Sequence, residues 1–382
     1  MTSIREAVRR LFTQKEPLPA GVYHYQAPPD AEFPYRLHLR LEPDGDGVLI
    51  VNASTVLHLN QTAAEYAYHL VQGTADEQAA HEIALRYQVS TKQALGDFQD
   101  LKERLLTMID IPDLDPITFF DFERDDPYAG EISAPYRLDC ALTYRLPEGA
   151  DPETAPTKRV DRELSTEEWG TIIDKAWEIG IPHIVFTGGE PTLRTDLPDL
   201  IAHAEANGQV TGLLTDGLRL ADDNYLNTLL QTGLDHLMVV LHPEDESAWA
   251  ALGNVLPEDL HTTVHLTLTP ENASAASALL ERLANMGVNA LSLSASSPEL
   301  NETLQTTAEE AAELELSLVW DVPVPYSTHN PIALETVEDE PPQGAGRAWL
   351  YVEPDGDVLP AQGVNQVLGN LLRDDWEKIR SQ

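Results

Sequence analysis

Apolar residues recur along this chain with two periods, and the change between them divides it. Residues 35–43, YRLHLRLEP, alternate apolar and polar side chains, the spacing of a β-strand. DGDG at 44–47 is turn chemistry, and VLIVNASTVLHL continues in extended form. Asn60 then caps a helix in QTAAEYAYHLVQG, with Ala64, Tyr68 and Leu70–Val71 on one side and Gly73 closing it. ADEQAAHEIALRY and TKQALGDFQDLKERLLTMI read as two more amphipathic helices. Near the start, Ile4, Val8, Leu11 and Phe12 fit one face of a further helix.

Residues 111–135 are rich in Pro and Asp and read as a linker whose Phe119, Phe120 and Phe122 pack on a neighbouring domain. From Tyr136 the pattern becomes strand, helix, strand. YRLDCALTY, HIVFTGG, VTGLLTDG, HLMVVLHPE, TVHLTLTP and ALSLSAS are strands, each followed by a helical stretch. ELSLVWDVP follows the last of those helices, and Ser165/Thr166 with Glu168 start the first. Repeated units of this length build a parallel sheet or barrel whose functional loops lie at the strand carboxyl ends. RAWLYVEPDGDVLPAQGVNQVLGNLLRDDWEKIR reads as a hairpin followed by a short helix.

At 382 residues the chain is long enough for two domains. Its 64 acidic and 24 basic residues give a net charge of -40, which repels nucleic acid and anionic membranes and favours a basic peptide or protein partner. The bland alternative is a solvated acidic surface that maintains solubility. One cysteine, Cys140, excludes a disulfide framework. No apolar run reaches a membrane span, and the basic start lacks the apolar core of a secretory signal, so a cytoplasmic protein is expected.

FTGGEPTLR, 186–194, resembles the S-adenosylmethionine (SAM) binding turn of radical SAM enzymes, at the second of about six βα units. The resemblance covers 136–325 and implies a partial (β/α)6 TIM-like barrel. It also implies that Gly188, Gly189, Glu190 and Pro191 contact SAM, the glycines by admitting close approach and Glu190 by accepting from its ammonium group. Thr215, Asp216 and His242, at the ends of the third and fourth strands, would then face the SAM ribose or the substrate. In such enzymes a CxxxCxxC loop holds a [4Fe–4S] cluster. Here the corresponding stretch, LPEGADPETAPTKRVDRE at 146–163, has no thiol, so the cluster is not expected. Residues 326–382 resemble a SPASM or twitch extension, with Ala361 after Pro360 where relatives carry a cysteine. Residues 1–110 resemble a PqqD-like winged-helix α+β module, a family that captures leader peptides as an added strand.

Other candidates are weaker. Glu148, Asp151, Glu153, Asp161 and Glu163 suit at most a hard cation, and a solvated loop is the plainer account. Cys140 lies within a strand as a buried, inert thiol. His261 and His265 are ~13 Å apart along one strand and cannot chelate one ion. Trp320, Trp349 and Tyr351 read as packing, and no phosphate-binding or nucleophile-elbow motif occurs. The leading expectation is a radical SAM fold without its cluster, a pseudoenzyme that binds a peptide or protein during peptide modification. The alternative is cluster-independent chemistry with SAM or another small ligand, using Glu190, Asp216 and His242.

Overall fold

A computed structural model describes residues 16–28, 31, 34–111, 132–148, 160, 162–319 and 344–381. The amphipathic start, the aromatic linker, Trp320 and most of the 146–163 segment lie outside the described residues. The chain divides into two compact units, Met1–Ser133 and Ala134–Gln382.

The first unit has an antiparallel meander, β1 (Gly21–Gln26), β2 (Arg36–Leu41), β3 (Gly47–Val51) and β4 (Thr55–Leu59), in that spatial order. The run expected to be continuously extended is instead a hairpin. It turns at Asn52 and Ala53, both at positive φ, and pairs Val51 with Thr55. Three helices follow, α1 (Gln61–Val71), α2 (Asp76–Tyr87) and α3 (Thr91–Asp110). Asn60 caps α1 by accepting from the Ala63 N–H at 3.0 Å. The face of α1 that meets the sheet is the expected one, with Ala64 and Val71 in the core and Tyr68 and Leu70 packed against it. Ala64, Ala67 and Val71 pack on the sheet with Leu39, Leu49 and Leu105, whereas Tyr66 joins Ile83 and Phe98 in a second cluster between helices. Tyr68 and Leu70 stay half-buried, because a helix serving two clusters splits its apolar stripe.

The second unit is a mixed α/β fold. β5 (Arg137–Thr143), β6 (His183–Gly188), β7 (Val210–Thr215), β8 (His236–Val240), β9 (His261–Leu268) and β10 (Ala290–Ala295) pair in parallel and in sequence order, and the two-residue β11 (Ser317–Leu318) follows β10. Helices α4 (Thr166–Ile179), α5 (Leu197–Asn207), α6 (Asp223–Leu230), α7 (Glu246–Val255), α8 (Ala276–Asn285) and α9 (Asn301–Glu313) connect them. Ser165 and Glu168 form a reciprocal capping box on α4. On the far side of β5, β12 (Trp349–Val352) adds in parallel, and β13 (Asp357–Leu359) and β14 (Gly369–Asn370) continue antiparallel. A final turn of helix is α10 (Trp376–Arg380). Lys175 of α4 holds this last piece through the carbonyls of Leu371 and Asp374.

Strand alternation sets two faces. Leu138, Cys140, Ile184, Phe186, Leu213 and Leu237 enter the core beneath the helices with Trp169 and Ile172. Val185, Leu214 and Met238 pack with one another on the opposite face. Among the described residues, no helix is long and apolar enough to cross a membrane.

Candidate functional site

The carboxyl ends of β6 and β7 bring most of the predicted residues together. Gly188 has φ +131°, and a Cβ there would lie 2.1 Å from the Thr143 carbonyl oxygen. At Gly189 a Cβ would lie 2.2 Å from the Arg145 carbonyl oxygen. The close approach these glycines permit is therefore to the protein's own backbone. Gly189 N–H donates to Thr143 at 2.7 Å and Glu190 N–H to Arg145 at 2.8 Å, fastening the turn to the end of β5.

Glu190, which the resemblance offers to the SAM ammonium group, is only 3% exposed. Its Oε1 accepts from Thr192 N–H (2.9 Å), Thr192 Oγ1 (2.5 Å) and Thr215 Oγ1 (2.8 Å), and its Oε2 accepts from Asp216 N–H (2.8 Å). These bonds tie the end of β6 to the end of β7. Burial pushes the Glu190 carboxyl up to about 8, and the neighbouring Asp216 charge adds to the rise against the pull of its hydrogen bonds. Asp216 is also raised by burial, offset by the Leu218 N–H at 2.9 Å and by His242. Two carboxyls so placed favour one shared proton over two charges. His242 is half-buried, with Nδ1 3.8 Å from Glu244. Pro191 opens a short 3-10 turn over Pro191–Leu193.

Three residues of this region were not singled out from the sequence. Arg194, 7% exposed, donates to the carbonyls of Leu142 (3.2 Å) and Leu164 (3.0 Å) and pairs with Asp196 at 2.6 Å. Arg219 donates to the Thr192 carbonyl and lies 4.0 Å over the Tyr225 ring. Thr143 donates to Glu163 and accepts from Arg145 N–H and Nε, both at 3.1 Å. The spacing of Arg194 and Asp196 in the sequence signals their pairing but not the burial of the arginine.

The described edges of the 146–163 stretch offer no soft ligand. Arg145 and Glu163 pair at 3.5 Å, and both are partly exposed. Asp151, Glu153 and Asp161 lie outside the described residues. Cys140 is fully buried on the helix-covered face of β5, and burial together with Asp139 pushes its thiol well up. It points away from the face shared by Val185, Leu214 and Met238. An iron–sulfur cluster does not fit these residues.

Elsewhere, polar groups satisfy one another. His265, fully buried, contacts Ser292 Oγ through Nδ1 (2.9 Å) and Thr267 Oγ1 (3.2 Å) and Ser294 Oγ (3.0 Å) through Nε2. Burial lowers it to about 4, so it is a neutral hydrogen-bonding group. His183 and His236 meet Nε2 to Nε2 at 2.7 Å with ring centroids 4.9 Å apart, a near-linear hydrogen bond rather than a converging metal chelate. Among the described residues, no group of three or more His, Cys, Asp or Glu is placed to hold a metal ion.

Comparison with known proteins meets this geometry at the same strands. Residues 140–247 match the model of the radical SAM superfamily. The chain is 29% identical over 272 residues to a PqqA peptide cyclase of Granulibacter bethesdensis, covering 62% of this chain and 70% of that protein. Its fold resembles Streptococcus suis SuiB bound to the precursor peptide SuiA, at TM-score 0.59 and 13% identity, over 90% of this chain and 87% of SuiB. SuiB bound to S-adenosylmethionine superposes with TM-score 0.57 at 13% identity, over 94% and 88% of the two chains.

Proposed function

We propose that this chain is a radical SAM-fold protein that binds a peptide in a peptide-modification system and carries no [4Fe–4S] cluster in its 146–163 segment. The observation behind this reading is the pairing of a complete GGEP turn with a thiol-free partner segment and a lone cysteine facing the wrong way. The relative named as a PqqA peptide cyclase and the SuiB structure with its precursor peptide support the peptide context. In the first unit, β4 ends the sheet and runs into the cap of α1, so a PqqD-like addition of a peptide strand beside the hairpin has an edge to use. On this reading residues 1–110 recognise the peptide, 111–135 link, 136–325 form the partial barrel and 326–382 are a SPASM-like remnant. Anaerobic iron–sulfur reconstitution tests the proposal. The expected result is less than stoichiometric iron and no 5′-deoxyadenosine from SAM. A stoichiometric [4Fe–4S] EPR signal with SAM cleavage overturns it.

A second reading keeps a ligand at the strand ends and dispenses with the cluster. Asp216 beside His242, with its carboxyl raised, is the observation that favours it. Because Glu190 is engaged by protein donors, binding of SAM falls to the backbone of Gly188, Gly189 and Pro191 and to Thr215, Asp216 and His242. Titration calorimetry with SAM separates the two readings, since absence of heat at millimolar ligand removes the second.

A further inference from the structure

The last two long strands of the parallel series carry a polar cluster on the sheet face away from the helices. Val264, Leu266 and Leu268 of β9 and Leu291 of β10 enter a core with Leu252 of α7, Leu280 of α8 and Ala311 of α9. Alternation therefore turns His265 and Thr267 of β9, with Ser292 and Ser294 of β10, to the face shared by Val185, Leu214 and Met238. In register, His265 pairs with Ser292 and Thr267 with Ser294.

The spacing of these groups is ordered. Ser292 Oγ lies 2.9 Å from Nδ1 of His265, and Ser294 Oγ lies 3.0 Å from Nε2. Thr267 Oγ1 stands 3.2 Å from the same Nε2 and accepts from Ser294 Oγ at 3.1 Å. Exposure differs along the row. His265, Ser292 and Thr267 are buried, whereas Ser294 is only half-buried and keeps contact with solvent.

A neutral imidazole has one N–H and one acceptor nitrogen. With its proton on Nδ1 and donated to Ser292, His265 presents the Nε2 lone pair to the Ser294 hydroxyl. A base within hydrogen-bond reach of a hydroxyl, and oriented in turn by a third group, is the arrangement that activates a serine nucleophile. The third group here is a hydroxyl rather than a carboxylate, so it fixes the ring and its tautomer without stabilising an imidazolium.

We propose that Ser294 and His265 form a serine–histidine acyl-transfer site for small esters, with Ser292 as the positioning residue. Ser294 Oγ attacks the ester carbonyl carbon as its proton passes to His265 Nε2. The bond to the leaving oxygen then breaks, and that oxygen takes the proton and departs as the alcohol. Water repeats the sequence on the acyl-serine and releases the carboxylic acid, with no change of oxidation state. Val240, in register with His265, and Met238 give this face an apolar side suited to the acyl group. The site uses none of Glu190, Asp216 and His242 and stands apart from peptide recognition.

The test treats the full chain with diisopropyl fluorophosphate, which forms an Oγ–P bond and loses fluoride, and locates the adduct by peptide mass spectrometry. The expected result is an adduct at Ser294 that urea-denatured protein does not form. His265→Gln should slow labelling about a hundredfold, as loss of a positioned base does. Ser292→Ala should slow it about tenfold, through the orientation of the ring. A pH profile separates this role from a structural one. Burial lowers His265 to about 4, so wild-type labelling should stay level from about pH 8 to 5.5, where a histidine of ordinary pKa, about 6.5, would lose about tenfold. No adduct at Ser294, equal labelling of denatured protein, or equal rates in wild type and both variants overturns the proposal. If His265→Gln does not fold, Ser292→Ala and the wild-type profile decide, and a tenfold fall by about pH 5.5 also overturns it.

Discussion

The end of β6 and the end of β5 lie side by side in the sheet, yet only the first keeps the residues of the motif it resembles. At β6 the GGEP turn is complete, buried and saturated with hydrogen bonds. At β5 the chain passes into a charged stretch with Thr143, Arg145 and Glu163 at its described edges. The difference shows that a cofactor motif can be held by two separate demands. Gly188 and Gly189 are required by the backbone of Thr143 and Arg145 whether or not a ligand binds. Glu190 knots β6 to β7 on the same terms. A cysteine that serves only a cluster has no such second role, and nothing in the packing of β5 calls for one.

The sharpest way to break this comparison is to put a methyl group where the two strand ends meet. In Gly188→Ala the added Cβ falls 2.1 Å from a main-chain oxygen, and φ +131° is a region that alanine avoids. The contact is with backbone, so no side chain can swing aside. The expected loss is about 3 kcal/mol or more in denaturant unfolding of the second unit, without ligand present. Full stability in the alanine variant would mean that the glycines serve a ligand alone.

Much of this architecture was legible in advance, and the reasons differ by region. The β5–β10 series announces itself because each strand is a short apolar run and each helix has a cap or a glycine end, as at Ser165, Gly180 and Gly208. The 52–54 turn was missed because Asn52 and Ala53 adopt positive φ without a glycine to mark it. The polar residues of β2 were also opaque. Alternation in YRLHLRLEP places His38 and Arg40 on one face, but the structure buries both, at 1% and 2% exposure. At the candidate site the residue identities were readable and their environment was not. Glu190 looks like a mouth carboxylate in the sequence, and its burial arises from Thr192, Thr215 and Asp216, two of them more than twenty residues away. Arg194 belongs to the same class, since its partners Leu142 and Leu164 are carbonyls that no side-chain pattern reveals.

A smaller effect, with a distinctive pH signature, is expected of Glu190→Gln. The amide brings two N–H hydrogens where the protonated carboxyl brings a single O–H, so the group facing Asp216 N–H sets a donor against a donor and costs about 1–3 kcal/mol at pH 5. Linkage then changes the comparison as pH rises. The folded pKa of Glu190 is raised, to about 8, so its contribution is complete below its unfolded value of about 4.5 and is lost as pH climbs through 8. Wild-type stability should fall over that interval at up to about 1.4 kcal/mol per pH unit from this group, whereas the glutamine variant lacks the slope. The gap between the two proteins should therefore narrow toward pH 9 in urea titrations. A gap that widens with pH would mean that the carboxylate is ionised and held by a cation.

The smallest expected effect separates Cys140 from any metal role. Its sulfur packs beneath the helices with Leu138, Leu142 and Trp169, on the face opposite to Val185, and burial raises its thiol well beyond the ordinary range. Cys140→Ala removes one buried sulfur from that core and should cost about 1 kcal/mol, since alanine leaves a void of roughly methyl size. Native protein should resist maleimide at neutral pH, and denatured protein should react at one site, because a protonated, inaccessible thiol is a poor nucleophile. Iron retained after anaerobic reconstitution and desalting should be the same in variant and wild type. If the substitution instead lowers bound iron while the unfolding midpoint stays put, then β5 presents its sulfur to the other face in solution, and the contrast between the two strand ends is lost.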